Sequence, residues 1–148
     1  MEKTTYNLYC EILKSELKPA MGCTEPIAIA LTAAKAKKYI DEEIISVEVC
    51  ASGNIIKNVR CVIIPNSGGL KGIPAGVILG AVAGDASLNM EVLSKVDEKG
   101  RARCRELLEA DICKVELLDT PVVLHIIIEM YAGEDAVSLE IKYDHINV

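Results

Sequence analysis

The sequence predicts an α+β fold in one domain, a mostly antiparallel sheet with helices packed on it. Two patterns lead there. Helical periods alternate with strand-like ones as far as Ala110, and three strand-like segments then follow. The third observation is bulk: 148 residues, 51% hydrophobic, with five Tyr as the sole aromatics, suffice for one core of Ile, Val, Leu and Ala.

The elements follow in order. Residues 3–17 space Tyr6, Tyr9, Cys10, Leu13 and Leu17 at helical intervals with Glu and Lys between them, and Pro19 ends this amphipathic helix. A second helix is expected from Thr24, whose hydroxyl suits an N-cap. Pro26 falls in its first turn, where a missing N–H costs nothing. From Ile27 to Ala34 it is apolar or small, and Lys35, Lys37 and Lys38 mark its wet end. EIISVEVCA (43–51) alternates as a half-buried strand does, SGNIIKN (52–58) reads as a turn, and VRCVII (59–64) as a second strand. PNSGGLKGIPAG (65–76) is a glycine-rich loop opening a buried small-residue helix from Pro74 to Ala83, whose closest neighbour must approach at backbone distance. Asp85 or Ser87 caps a short helix through Leu93, and Asp97 a further one through Ala110. ICKVELL (112–118), VVLHIIIEM (122–130) and AVSLEIKY (136–143), joined by DTP and AGED, are expected to form an antiparallel meander.

Charge and composition exclude some functions. Sixteen basic against twenty-two acidic residues give a net charge of −6, with no basic run interleaved with aromatics, so nucleic acid is not an expected partner. The opening segment is charged throughout and lacks a secretory apolar stretch, and IPAGVILGAVAG is too short to span a bilayer. A cytoplasmic chain with no membrane partner is expected, its six cysteines kept as thiols.

Cys23 is the most informative candidate. A thiol at the start of a helix feels the partial positive charge of the free amides, which favours the reactive thiolate, and Gly22 gives the backbone freedom to aim it. A small residue filling a turn would look the same. Glu25 reads either as a base or as a first-turn carboxylate complementing the helix dipole. In PNSGGLKG, Ser67, Gly68 and Gly69 can turn successive N–H groups inward as a nest for a carboxylate or phosphate, with Lys71 adding charge; a wide turn explains the same residues. The segment lacks phosphate-loop spacing. Asn54, Lys57 and Asn58 fit either a turn or a polar pocket. No metal site is expected: there is no Cys-x-x-Cys pair, and His125 and His145 stand singly. His125 reads as a satisfied sheet histidine, and Cys10, Cys50, Cys61, Cys104 and Cys113 as small buried hydrophobes.

KPAMGCTEPIAIALTAAKA, SGNIIKNV, IPNSGGLKGIPAGVILGAVAGD and LLDTP succeed one another as in a known family. From about Glu16 onward the chain resembles the N-terminal part of the L-cysteine desulfidases, relatives of the alpha chain of iron–sulfur L-serine dehydratases. Gly-Cys-Thr-Glu-Pro is the most specific element. The resemblance implies a [4Fe-4S] lyase that eliminates sulfide from L-cysteine to leave pyruvate and ammonia, or water from L-serine, an open iron acting on the departing group. It maps the base onto Cys23 and substrate-binding roles onto Glu25, Asn54, Lys57, Ser67, Gly68, Gly69 and Lys71. The cluster ligands of that family lie in a C-terminal part that this chain does not contain, so no cluster is expected on it. Its expected partners are a small amino acid and either the missing C-terminal domain or a separate cluster-binding subunit, and a homo-oligomer is compatible. By itself the chain is expected to be inactive, as a fragment or one half of a split enzyme. A reading of another class is a non-catalytic amino-acid-binding or assembly module, motivated by the apolar stretch over residues 59–86.

Overall fold

Two helices that are apolar all round occupy the middle of the molecule, and their composition dictates the rest of the architecture. The computed structural model describes residues 3–17 and 21–145, with the backbone alone for Glu16, so Pro19 lies outside the described residues. The helices are α1 (Lys3–Glu16), α2 (Thr24–Lys37), α3 (Gly53–Val59), α4 (Gly72–Ala83) and α5 (Glu98–Glu109); a 3-10 segment spans Ala86–Glu91. The strands are β1 (Ser46–Ala51), β2 (Cys113–Leu117), β3 (His125–Ala132) and β4 (Asp135–Lys142).

The sheet order is β2-β1-β3-β4, with β1 parallel to β2 and the other two pairs antiparallel. Mostly antiparallel pairing is therefore as expected, but the meander is corrected. β1 sits between β2 and β3, because three helices intervene between β1 and β2 and give the chain length for a parallel return. The segment 59–64 is not a strand: it finishes α3 and turns, leaving one isolated bridge, Ile63 to Lys71. SGNIIKN is not a turn. Ile55 and Val59, four residues apart, bury one face of α3.

Burial alternates along the strands. Val47, Val49 and Ala51 of β1 and Ile126, Ile128, Met130 and Ala132 of β3 face the helices. Ala28, Ile29, Ala33 and Ala36 of α2, with Ile73, Val77 and Ala81 of α4, complete that core. The opposite sides of the same two helices, through Ile27, Ala30, Leu31, Ala75, Ile78 and Leu79, build a second core with the 3-10 segment and α5. The result is three layers: sheet, helix pair, then α5 with the 3-10 segment. The apolar stretch 59–86 is thus largely core and not an exposed patch; Val59, Ile64, Ile73, Val77, Ile78 and Leu79 are buried.

The α2–α4 pair is held at backbone distance. A Cβ on Gly76 would meet Pro26 O at 3.6 Å, one on Gly80 would lie 2.6 Å from Ala30 Cα, and one on Gly84 would reach Ala34 Cβ at 3.1 Å. Contacts that climb both helices in steps of four mean that they run parallel. Both N-termini therefore lie at one end of the pair. Capping signals are met in part: Asp85 accepts from Ser87 N–H and Asp97 from Gly100 N–H. At α2, however, the N-cap position falls to Cys23, and Thr24 is already helical.

Amphipathic α1 forms as expected, yet it joins neither core. Tyr6, Leu8, Tyr9, Ile12, Leu13 and Leu17 are all exposed. Among the described residues no helix is long and apolar enough to cross a membrane.

Candidate functional site

Cys23 is exposed at the start of α2, with extended backbone, and its side chain makes no capping hydrogen bond. Lys71 stands at the equivalent position of α4, also without a side-chain cap bond. The parallel packing thus sets two helix starts, neither of them capped by a side chain, at one end of the molecule, and such starts carry donor N–H groups and partial positive charge. The turn before Cys23 touches the glycine-rich loop: a Cβ on Gly22 would meet Pro65 Cγ at 3.5 Å. The loop and the cysteine turn are neighbours, which sequence alone did not establish.

The loop itself is a tight, supported turn. Asn66, Gly68 and Gly69 all take positive φ, at 56°, 75° and 97°. Ser67 is buried and its hydroxyl donates to Leu70 O at 3.2 Å, so that hydroxyl serves the turn. Asn66 Nδ2 donates to Leu93 O and Val96 O at 2.9 and 3.1 Å, while the Arg101 guanidinium donates to Asn66 Oδ1 at 3.2 Å. Gly68 lies against Arg101, and a Cβ there would come within 3.3 Å of the Arg101 stem. Asn66 and Arg101 fix the loop, and the sequence reading missed both. Asn66 could have been flagged, because Asn tolerates the left-handed region that a glycine-rich turn needs; Arg101, thirty-five residues away, left no local signal.

The remaining candidates divide between two places. Glu25 and Asn54 line one cleft of about 520 Å³, together with Ile55, the strap Pro121–Leu124, Tyr143 and His145. Lys71 lines a different groove with Arg60, Ile56, Ile73 and Val115. Lys57 is exposed on α3 and lines neither. Within the cleft the Glu25 carboxylate accepts from Thr24 Oγ1 at 3.4 Å and from Asn58 Nδ2 at 3.5 Å, both long contacts. The strap, Tyr143 and His145 went unrecognised, since their approach depends on how β3 and β4 return to the start of α2.

That strap is fixed by polar bonds. Ser52 Oγ donates to Val123 O at 2.6 Å. Val122 N–H donates to Thr120 Oγ1 at 3.2 Å, Thr120 lies 3.0 Å from His125 Nδ1, and His125 Nε2 lies 2.6 Å from Glu140. With Nε2–H donating to the carboxylate, Nδ1 accepts the Thr120 hydroxyl proton and every group is satisfied. His125 is the satisfied sheet histidine expected, paired with Glu140.

All six cysteines are free. Burial pushes the Cys104 thiol up to about 11 and the Cys113 thiol up to about 12, and Cys50 is raised by burial and by Glu116, Glu129 and Glu48. Cys61, expected to be buried, is exposed beside the turn that follows α3. A metal ligand must be thiolate, so these two raised thiols are poor donors. Among the described residues no three His, Cys, Asp or Glu side chains are grouped to hold a metal ion. The donor set described here does not fit an iron–sulfur cluster.

No protein-family model matches the chain. It is similar to a UPF0597 protein of Finegoldia magna, 47% identical over 143 residues that cover 95% of this chain and 34% of that protein. UPF0597 proteins of Treponema denticola and Lachnoclostridium phytofermentans are each 42% identical, over 100% and 97% of the chain and 34% of their own length. The chain spans about a third of the length of the curated relatives it matches.

Proposed function

We propose that this chain is the N-terminal catalytic portion of a cytoplasmic β-eliminating lyase acting on L-cysteine, with L-serine as the alternative substrate. The observation that carries the reading is the parallel α2–α4 pair, whose side-chain-uncapped starts lie together with exposed Cys23 beside the glycine-rich loop. Amide donors and the positive helix ends suit a substrate carboxylate. Gly69 has open space where a Cβ would stand, Gly68 packs on Arg101, and Ser67 supports the turn from within.

In this reading the Cys23 thiolate takes the α-proton. The C–H electron pair becomes the Cα–Cβ double bond, and the Cβ–S bond breaks with its pair on the departing hydrosulfide. The 2-aminoacrylate left behind tautomerises to the imine and hydrolyses to pyruvate and ammonia. For serine the Cβ–O bond breaks with its pair on the departing hydroxide, which takes a proton from solvent and leaves as water. The cysteines of this chain do not fit a [4Fe-4S] cluster, and the ligands of any cluster belong to the length of its relatives that this chain does not span. Anaerobic assay of the full-length protein with each amino acid tests the reading: pyruvate from either is the expected result, and pyruvate from neither overturns it.

A second reading, an assembly module, is favoured by the exposed apolar row on α1. It is compatible with the first, the row meeting the rest of the longer protein. Apolar dye binding by the wild-type chain that is lost in Leu13→Glu supports that surface, and equal dye binding by both removes it.

A further inference from the structure

The Glu25 cleft is not used by the proton transfer described above, and its chemistry differs from that of the loop. Among the described residues that line it there is no Lys or Arg: Glu25 supplies its carboxylate, and His145 and Tyr143 are the other titratable side chains. The two hydrogen bonds that reach this carboxylate are long, at 3.4 and 3.5 Å, and leave acceptor capacity for a stronger donor. Asn54 adds an amide oxygen, and Ile55, Val122 and Leu124 supply an apolar wall that strengthens any charge pairing formed against it. Such a site takes a cation with several N–H donors and repels an anion.

We propose that Glu25 receives the α-ammonium group of the amino acid, making it the residue that distinguishes amino acids from their deaminated analogues. The inference rests on the lyase reading. In that reaction the ammonium nitrogen is bonded to the same carbon that gives its proton to Cys23, so whatever holds the nitrogen must sit close to the base. Glu25 lies two residues after Cys23, in the first turn of the helix that Cys23 opens, although Cys23 is not among the residues that line the cleft. Carboxylate to the nest and helix starts, ammonium to Glu25, would orient the α-hydrogen between them. The strap that walls the cleft is held by Ser52 and by the Thr120–His125–Glu140 chain, so the wall is preorganised.

Equilibrium binding to this chain, under reductant and without oxygen, tests it with two probes: L-cysteine and 3-mercaptopropionate, which lacks only the ammonium group. The wild-type chain should prefer L-cysteine, and Glu25→Gln should weaken L-cysteine by about tenfold or more, the loss of a charge-assisted bond, while leaving 3-mercaptopropionate unchanged. Glu25→Asp should keep part of the preference, and equal thermal midpoints verify that the variants fold. L-cysteine affinity unchanged in Glu25→Gln overturns the inference. So does a wild-type chain that binds the two probes equally, or binds neither. In each case the lyase reading stands or falls separately, on pyruvate formation.

Discussion

Cys23 and Cys61 are exposed, whereas Cys104 is buried and Cys113 half-buried, with thiols displaced to about 11 and about 12. Because alkylation needs thiolate, mass-resolved labelling near neutral pH should modify Cys23 and Cys61 first and leave Cys104 and Cys113 unmodified until the pH approaches their raised values or the chain unfolds. Rapid labelling of Cys104 in the folded chain would contradict the packing of its thiol 3.9 Å from Ala75 O. At this scale the sequence located the cysteine turn, because Gly-Cys-Thr-Glu-Pro is a contiguous motif. It could not locate Arg101 beneath the loop or Tyr143 beside Glu25, whose relations exist only once distant segments meet. A surface acid gives a second test. Arg101 and Arg105 hold the exposed Glu98 carboxyl below its ordinary 4.5. A folded value below the unfolded one contributes stability present above pH 4.5 and lost as the pH falls through the depressed value. The thermal midpoint of wild type should therefore converge on that of Glu98→Gln as acid is added below that point, and a gap that widens in acid would refute the pairing.

Among the elements, the α2–α4 pair decides most. A methyl group at Gly80 would run into the backbone of Ala30, whereas one at Gly76 meets Ile64, Ile29 and Pro26 O at 3.4 to 3.6 Å, ordinary contact. Gly80→Ala should cost on the order of 1–3 kcal/mol by forcing the helices apart. Gly76→Ala should be close to neutral, its helix-propensity gain of about 1 kcal/mol offsetting slight crowding. Chemical denaturation of the two variants compares them, and equal midpoints would mean that the helices do not approach at Gly80. The small-residue helix and its close neighbour were readable from composition. That α2 is the neighbour, and that it runs parallel, were not, because periodicity reports a buried face without naming what covers it. The same limit explains β2. Alternation identified it as a strand, but its parallel place beside β1 is set by the helices between them. At α3, the Gly53-Asn54 turn signal masked a helical spacing that Ile55 and Val59 did carry.

Across the whole molecule, the helix pair serves two cores and presents its two starts at one end, where cysteine turn, glycine-rich loop and Glu25 cleft are grouped. The opposite sign of these two recognition features suits a zwitterion, carboxylate at the amides and ammonium at Glu25. The α+β class was legible because apolar volume and element pattern agreed. The grouping was not, since it arises from the packing of two helices whose first residues are 48 positions apart. The chain spans about a third of its relatives' length, and α1 holds its apolar row away from both cores. The central claim is that Cys23 removes the α-proton. Its most direct test is the rate of pyruvate release from L-cysteine by the full-length protein against its Cys23→Ala variant, with cluster content and melting behaviour matched. Loss of a general base predicts a fall in kcat of roughly 10²–10⁴-fold with KM little changed. A variant that turns over L-cysteine at the wild-type rate would contradict it.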